Sequence, residues 1–103
     1  FSPVNNQLAV GIKSIALLDK PLVQVYPNPA QNQLYVSFQL EETSLVKIIL
    51  KDMNGKDIKF IANEMAIGKF SKKVDVSHLS NGVYFMHIQK ADSYLIKKII
   101  VLN

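Results

Sequence analysis

The chain of 103 residues has no cysteine, no tryptophan and, among its twelve basic residues, no arginine. Without cysteine, neither disulfides nor thiolate-held metals can stabilise it, so the fold must rest on burial and backbone hydrogen bonding. Without arginine, the bidentate fork that reads phosphates and guanine edges is missing, and the lysines behind the net charge of +4 are dispersed instead of forming a stripe. No nucleic-acid partner is expected. Glycine is scarce as well: the four glycines, at positions 11, 55, 68 and 82, stand alone, so no phosphate-cradling loop exists. A run of ~18 apolar residues and a basic-then-apolar leader are also lacking. The sequence begins at Phe1 rather than at a methionine, and the expectation is the end of a longer, exported protein whose export signal lies upstream.

What is present is ordinary for a folded domain: 49% of the residues are apolar and 19% charged. That length and balance suit one domain with one core. Residues 1–21 differ from the rest. Phe1 to Gln7 is polar and turn-rich, Leu8 to Leu18 is apolar without a clear period, and this stretch is expected to be a linker to upstream cargo, with a processing point near Ala9 to Ala16. The domain itself is expected over residues 22–103.

From Leu22 a two-residue period takes over. Val23 and Val25 alternate with polar neighbours until Pro27 and Pro29 stop the strand; Leu34, Val36, Phe38 and Leu40 mark a second, and Val46, Ile48 and Leu50 a third. Asn54-Gly55 predicts a tight turn, because this pair readily takes positive backbone angles. Ile58, Phe60 and Ala62 return from it. Gly68 opens a further strand with Phe70, Val74 and Val76 in one phase and Lys72 interrupting at an edge. Val83 to Ile88 is almost wholly apolar, as a central strand would be. Tyr94 to Leu102 closes the chain with apolar residues in both phases. These are about seven short strands, the spacing of an all-β antiparallel sandwich.

Residues able to do chemistry do not converge. His87 sits in an apolar strand, His78 in a connection beside Asp75 and Ser77, and Glu41-Glu42 in an extended loop whose neighbouring side chains point apart. No catalytic, cofactor or metal residues are expected, and the chain is read as a non-enzyme. Tyr26, Tyr35, Tyr84 and Tyr94 are candidates for a sugar-stacking platform, a weak one without tryptophan.

Four short motifs, in order, carry more information: Tyr26-Pro27-Asn28-Pro29, Asn54-Gly55-Lys56, Leu79-Ser80-Asn81-Gly82-Val83-Tyr84 and Lys97-Lys98-Ile99-Ile100-Val101. Together, over about Leu22 to Asn103, they resemble the C-terminal sorting domain of type IX (Por) secretion cargo in Bacteroidetes-type bacteria. The resemblance implies an immunoglobulin-like sandwich that passes through the periplasm and directs upstream cargo across the outer membrane to the cell surface. Its implied partners are the type IX translocon and a sortase-like surface protease that removes the domain. Carried over by position, Pro27-Asn28-Pro29 opens the domain, Gly55 turns it, Leu79 with Gly82, Val83 and Tyr84 forms the late motif, and Lys97, Lys98, Ile99, Ile100 and Val101 fill the terminal segment. Asn103 departs from members that end in lysine or arginine. The final strand is also a candidate for strand addition to the translocon or for exchange with a second copy into a dimer. The competing reading is a structural or adhesive immunoglobulin-like module, carbohydrate binding included.

Overall fold

The computed structural model describes residues 23–103, all of it strand and turn; the expected linker, residues 1–21, lies outside the described residues. Five strands follow in order: β1 (Val23–Gln31), β2 (Gln33–Lys51), β3 (Asp57–Asp75), β4 (Gly82–Lys90) and β5 (Ser93–Val101). They form one sheet in the order β1-β5-β4-β2-β3, and β1 also pairs with β2, so the first four strands close into a ring. All pairings are antiparallel except β1 with β5, which is parallel.

The count of five, against about seven expected, has a physical cause. β2 and β3 are each 19 residues long and fold over at mid-length. A straight strand would place Lys59 and Asp75 ~50 Å apart. Instead, Lys59 Nζ lies 3.3 Å from the Asp75 carbonyl oxygen, and Lys72 Nζ 3.2 Å from Glu64 Oε1. The fold-over falls where the β2–β3 register slips, between Leu40–Gly68 and Ser44–Ala66. There Glu41, Glu42 and Thr43 oppose Ile67 alone, the two-against-one excess of a bulge taken one step further. Gly68, at φ 78°, sits at this corner rather than at the start of a separate strand.

Counted by halves, the seven expected segments reappear as two layers. One holds β1 with residues 33–40 and 68–75; the other holds residues 57–66 and 44–51 with β4 and β5. The core lies between them. Leu34, Val36, Phe38, Leu40, Phe70 and Val74 face it from the first layer, and Val46, Ile48, Leu50, Met86, Ile88, Ile99 and Val101 from the second. Each set follows the two-residue period, the only spacing that puts a strand's apolar residues on one side. The open question for β5 is answered by burial: Leu95, Ile99 and Val101 turn inward, while Ile96 and Leu102 are half exposed.

One expected phase is broken. Ile48 pairs with Ala62 but Ile49 with Phe60, so Ile61 is an extra residue in β3. Ala62 therefore stays buried while Phe60 turns out to solvent. Lys72 lies on β3, which ends the sheet order, as an edge residue should. In the core, Phe38 stacks on Phe70 with ring centres 4.8 Å apart, and the ammonium of Lys90, the buried last residue of β4, lies 5.4 Å from the Phe38 ring centre. The aromatic face supplies that cation with a favourable electrostatic partner.

Candidate recognition site

Three of the four sequence motifs meet at one pole of the sandwich. β1 reaches it at Ala30, which pairs with Val101, and β4 starts there with Gly82 opposite Val101, Val83 opposite Ile100 and Tyr84 opposite Ile99. Residues 26–30, 79–84 and 97–103, far apart in sequence, are thus neighbours in space.

The early motif sits where β1 leaves β2. Tyr26 still pairs with Tyr35, the two rings stacking at 5.7 Å, but the register is lost from Tyr26 to Gln31. Neither Pro27 nor Pro29 has an N–H to offer a ladder. The Asn28 side chain reaches β5 instead: its Nδ2 donates to the Lys98 carbonyl (2.9 Å) and its Oδ1 accepts from the Ile100 N–H (3.0 Å). Two residues on, the Leu102 N–H donates to the Ala30 carbonyl at 2.9 Å.

The late motif is held by its own side chains. Tyr84 is buried in the core, and its hydroxyl donates to the Ser80 carbonyl at 2.7 Å, closing the connection on itself. Leu79 packs on the core from the same connection. Gly82 has φ 153°, a backbone state closed to residues with a Cβ, although a Cβ there would meet open space. Backbone geometry, not crowding, calls for glycine. In the terminal segment Ile99 and Val101 are buried, Lys97 and Ile100 half-buried and Lys98 exposed; Lys97 shares the inward phase of Leu95, Ile99 and Val101, and Lys98 the opposite one.

Gly55 stands outside this cluster. It serves the β2–β3 turn, where Asp52 organises everything: its carbonyl accepts from the Gly55 N–H (3.0 Å), and its Oδ1 accepts from the N–H groups of Asn54 and Lys56 (2.8 and 3.0 Å). The positive φ of 83° at Gly55 is the feature the Asn-Gly pair announces.

Sequence reasoning missed the residue that ties the pole together. Asn103 Nδ2 donates to the carbonyls of Val76 (2.9 Å), Leu79 (3.0 Å) and Ser77 (3.4 Å). Its Oδ1 accepts from the Asn32 N–H (2.9 Å), and its own N–H donates to Asn81 Oδ1 (2.7 Å). The turn residue Asn32, at φ 64°, also accepts from the Val76 N–H at 2.8 Å. Asn is the side chain that best tolerates such an angle, which was the only local signal available.

The candidates for chemistry are dispersed. Asp75 Oδ1 accepts from Ser77 Oγ (2.6 Å) and the Ser77 N–H (2.9 Å), a local turn; these two bonds hold its carboxyl below the usual range. His87 Nδ1 meets the Tyr94 hydroxyl on the outer face of β4 and β5. Glu41, Glu42, Lys90 and Asp92 line an open cleft of about 590 Å³ at the fold-over. Among the described residues no group of three or more His, Cys, Asp or Glu side chains is placed to hold a metal. The four tyrosines separate into the Tyr26–Tyr35 pair, the core residue Tyr84 and the His87 partner Tyr94, so no shared stacking platform forms. No helix among the described residues is long and apolar enough to cross a membrane.

Comparison with known proteins gives one family: residues 24–102 match the family model described as the secretion system C-terminal sorting domain. No curated protein matches the sequence.

Proposed function

The chain belongs to the secretion system C-terminal sorting domains, the signals that mark cargo for type IX secretion, and from that premise we propose how its parts divide the task. The coarse function follows from membership: the type IX machinery recognises the domain as a cargo tail, and the cargo leaves across the outer membrane for the cell surface or the surroundings. The family is one of signals, not of enzymes.

Residues 22–103 are the signal and residues 1–21 the link to upstream cargo, with the junction for a sortase-like surface protease in that link. The cargo passes the periplasm first, carried there by its own export signal. The translocon then reads the pole built from Tyr26-Pro27-Asn28-Pro29, Leu79, Gly82-Val83-Tyr84 and Lys97 to Val101. The observation that carries this reading is convergence: three motifs spread over the domain meet at one end, the first joined to the terminal segment by Asn28 bonds that span 70 and 72 residues and the late motif joined to the chain end through Asn103. A motif needed only to shape its own turn, as Asn54-Gly55 is, would have no reason to meet the others. Strand addition to the translocon, or exchange with a second copy, uses the part of β5's outer edge before Lys98, which neither Asn28 nor Ala30 pairs.

The test is delivery. Residues 1–103 fused behind a periplasm-targeted reporter, in a host with the type IX system, should bring the reporter to the surface. Removing Tyr94 to Asn103 should leave it in the periplasm; surface delivery at the parent level after that removal contradicts the reading.

A further inference from the structure

In a parallel ladder, a residue facing position j of its neighbour donates to the carbonyl of j−1 and accepts from the N–H of j+1. Ala30 faces Val101 in this way, with the Leu102 N–H on its carbonyl. Counting back by two, position 28 should face Ile99. The backbone there does not pair, since β1 meets β5 in register at Ala30 alone. Yet both bonds exist: the Asn28 carboxamide donates to the carbonyl of Lys98 and accepts from the N–H of Ile100. A carboxamide holds a donor and an acceptor on one planar group, as a peptide does. The side chain therefore replaces its own backbone, continuing the edge ladder along β5 at a position where the main chain of residue 28 makes no pairing.

We infer that Asn28 is the positioning residue of the signal, the peptide mimic by which the proline motif fixes the outer edge of the terminal segment for recognition. This rests on the family reading above and adds a residue-level mechanism to it. The prolines bend β1 away so that its side chain, not its main chain, meets β5. The Lys97 to Val101 segment is thereby held in one register against β4 on one side and Asn28 on the other. Aspartate at position 28 keeps the acceptor but loses the donor, and sets a carboxylate against the Lys98 carbonyl. Alanine loses both groups.

The test pairs hydrogen exchange with delivery. In the folded domain, Asn28→Ala should speed exchange at the Ile100 amide by about tenfold or more, while core amides such as Ile48 stay protected. In the reporter fusion, surface delivery should fall by about the same factor. Asn28→Asp, which loses only the donor to the Lys98 carbonyl, should speed Ile100 exchange less than alanine does and still lower delivery, and it stands in if the alanine variant does not fold. Ile88→Val, which loosens the core without touching β5's outer edge, serves as a control of comparable melting temperature. Parent-level delivery by a variant with faster Ile100 exchange overturns the inference and leaves the family reading intact. Equal loss of delivery in Ile88→Val overturns it too, since Asn28 would then act through stability alone. Loss of delivery in the unaltered fusion would instead count against the sorting function itself.

Discussion

Asparagine is the residue that closes this molecule, because a short carboxamide can satisfy backbone groups that strands leave unpaired. Asn28 completes the edge of β5, Asn81 holds the Asn103 N–H, and Asn103 spans three carbonyls and the Asn32 N–H. Leaving such groups without partners costs about 1–3 kcal/mol where they are shielded from water. Asn103→Ala should therefore lower stability by roughly that amount in chemical denaturation. Asn103→Asp should do no better, because it keeps the acceptor for Asn32 and loses the donor that meets the carbonyls of Val76, Ser77 and Leu79. An aspartate variant as stable as the parent would show that those carbonyl contacts contribute little. Asp75 offers a pH test at the same end. Its carboxyl is lowered mainly by the Ser77 hydroxyl and then by the Ser77 N–H. A carboxyl lowered by folding contributes stability above its ordinary range and loses it as pH falls through the lowered value. In Ser77→Ala, carbon-detected titration should find Asp75 moved upward toward the ordinary carboxylate range, and its contribution should be smaller and its acid-side loss complete at higher pH.

Strands and turns differ in how far the sequence announces them. The inward faces of β2, Leu34 to Leu40 and Val46 to Leu50, are legible because alternation is a local rule, and every one of those residues is buried. The Asn54-Gly55 turn is legible because its backbone angles demand particular residues. That two strands fold over at Glu41-Glu42-Thr43 and Gly68 is not, since a break in alternation looks the same whether the chain turns into a new strand or bends within one. The extra residue Ile61, which sends Phe60 outward, is equally silent. Least legible are the bonds of Asn28 and Asn103, which join residues 22 to 72 apart and leave no periodic trace. The family resemblance located the motifs; only the folded chain shows that one of them reaches another by a side chain. The β4–β5 hairpin, which the Ala91-Asp92 pair closes, carries a local fault: Ala91 has φ 51° at a position where glycine is the usual residue. Relief of a left-handed alanine is worth roughly 1–2 kcal/mol, against about 0.4–1 kcal/mol for the added freedom of glycine in the unfolded chain. Ala91→Gly should thus stabilise the domain by about 0.5–1 kcal/mol in thermal or urea unfolding; a destabilised variant would contradict the turn geometry.

At the scale of the whole molecule, the sandwich is a device for gathering distant motifs. The first and last strands are held together by Ala30, Val101 and Asn28, and the core between the layers fixes where that junction lies. If the signal were a linear sequence, the fold would be incidental to export. If it is the assembled pole, unfolding must abolish export even when every motif residue is intact. Ile48 separates these cases, because it is fully buried in β2 and belongs to none of the motifs. Burying an unpaired carboxylate there costs far more than a domain of this size can spare. The decisive measurement is surface delivery of a reporter fused to residues 1–103 carrying Ile48→Asp, scored against the amount of intact fusion in the periplasm. The folded-pole account predicts intact fusion retained in the periplasm and none on the surface; delivery at the parent level from an unfolded domain would contradict it.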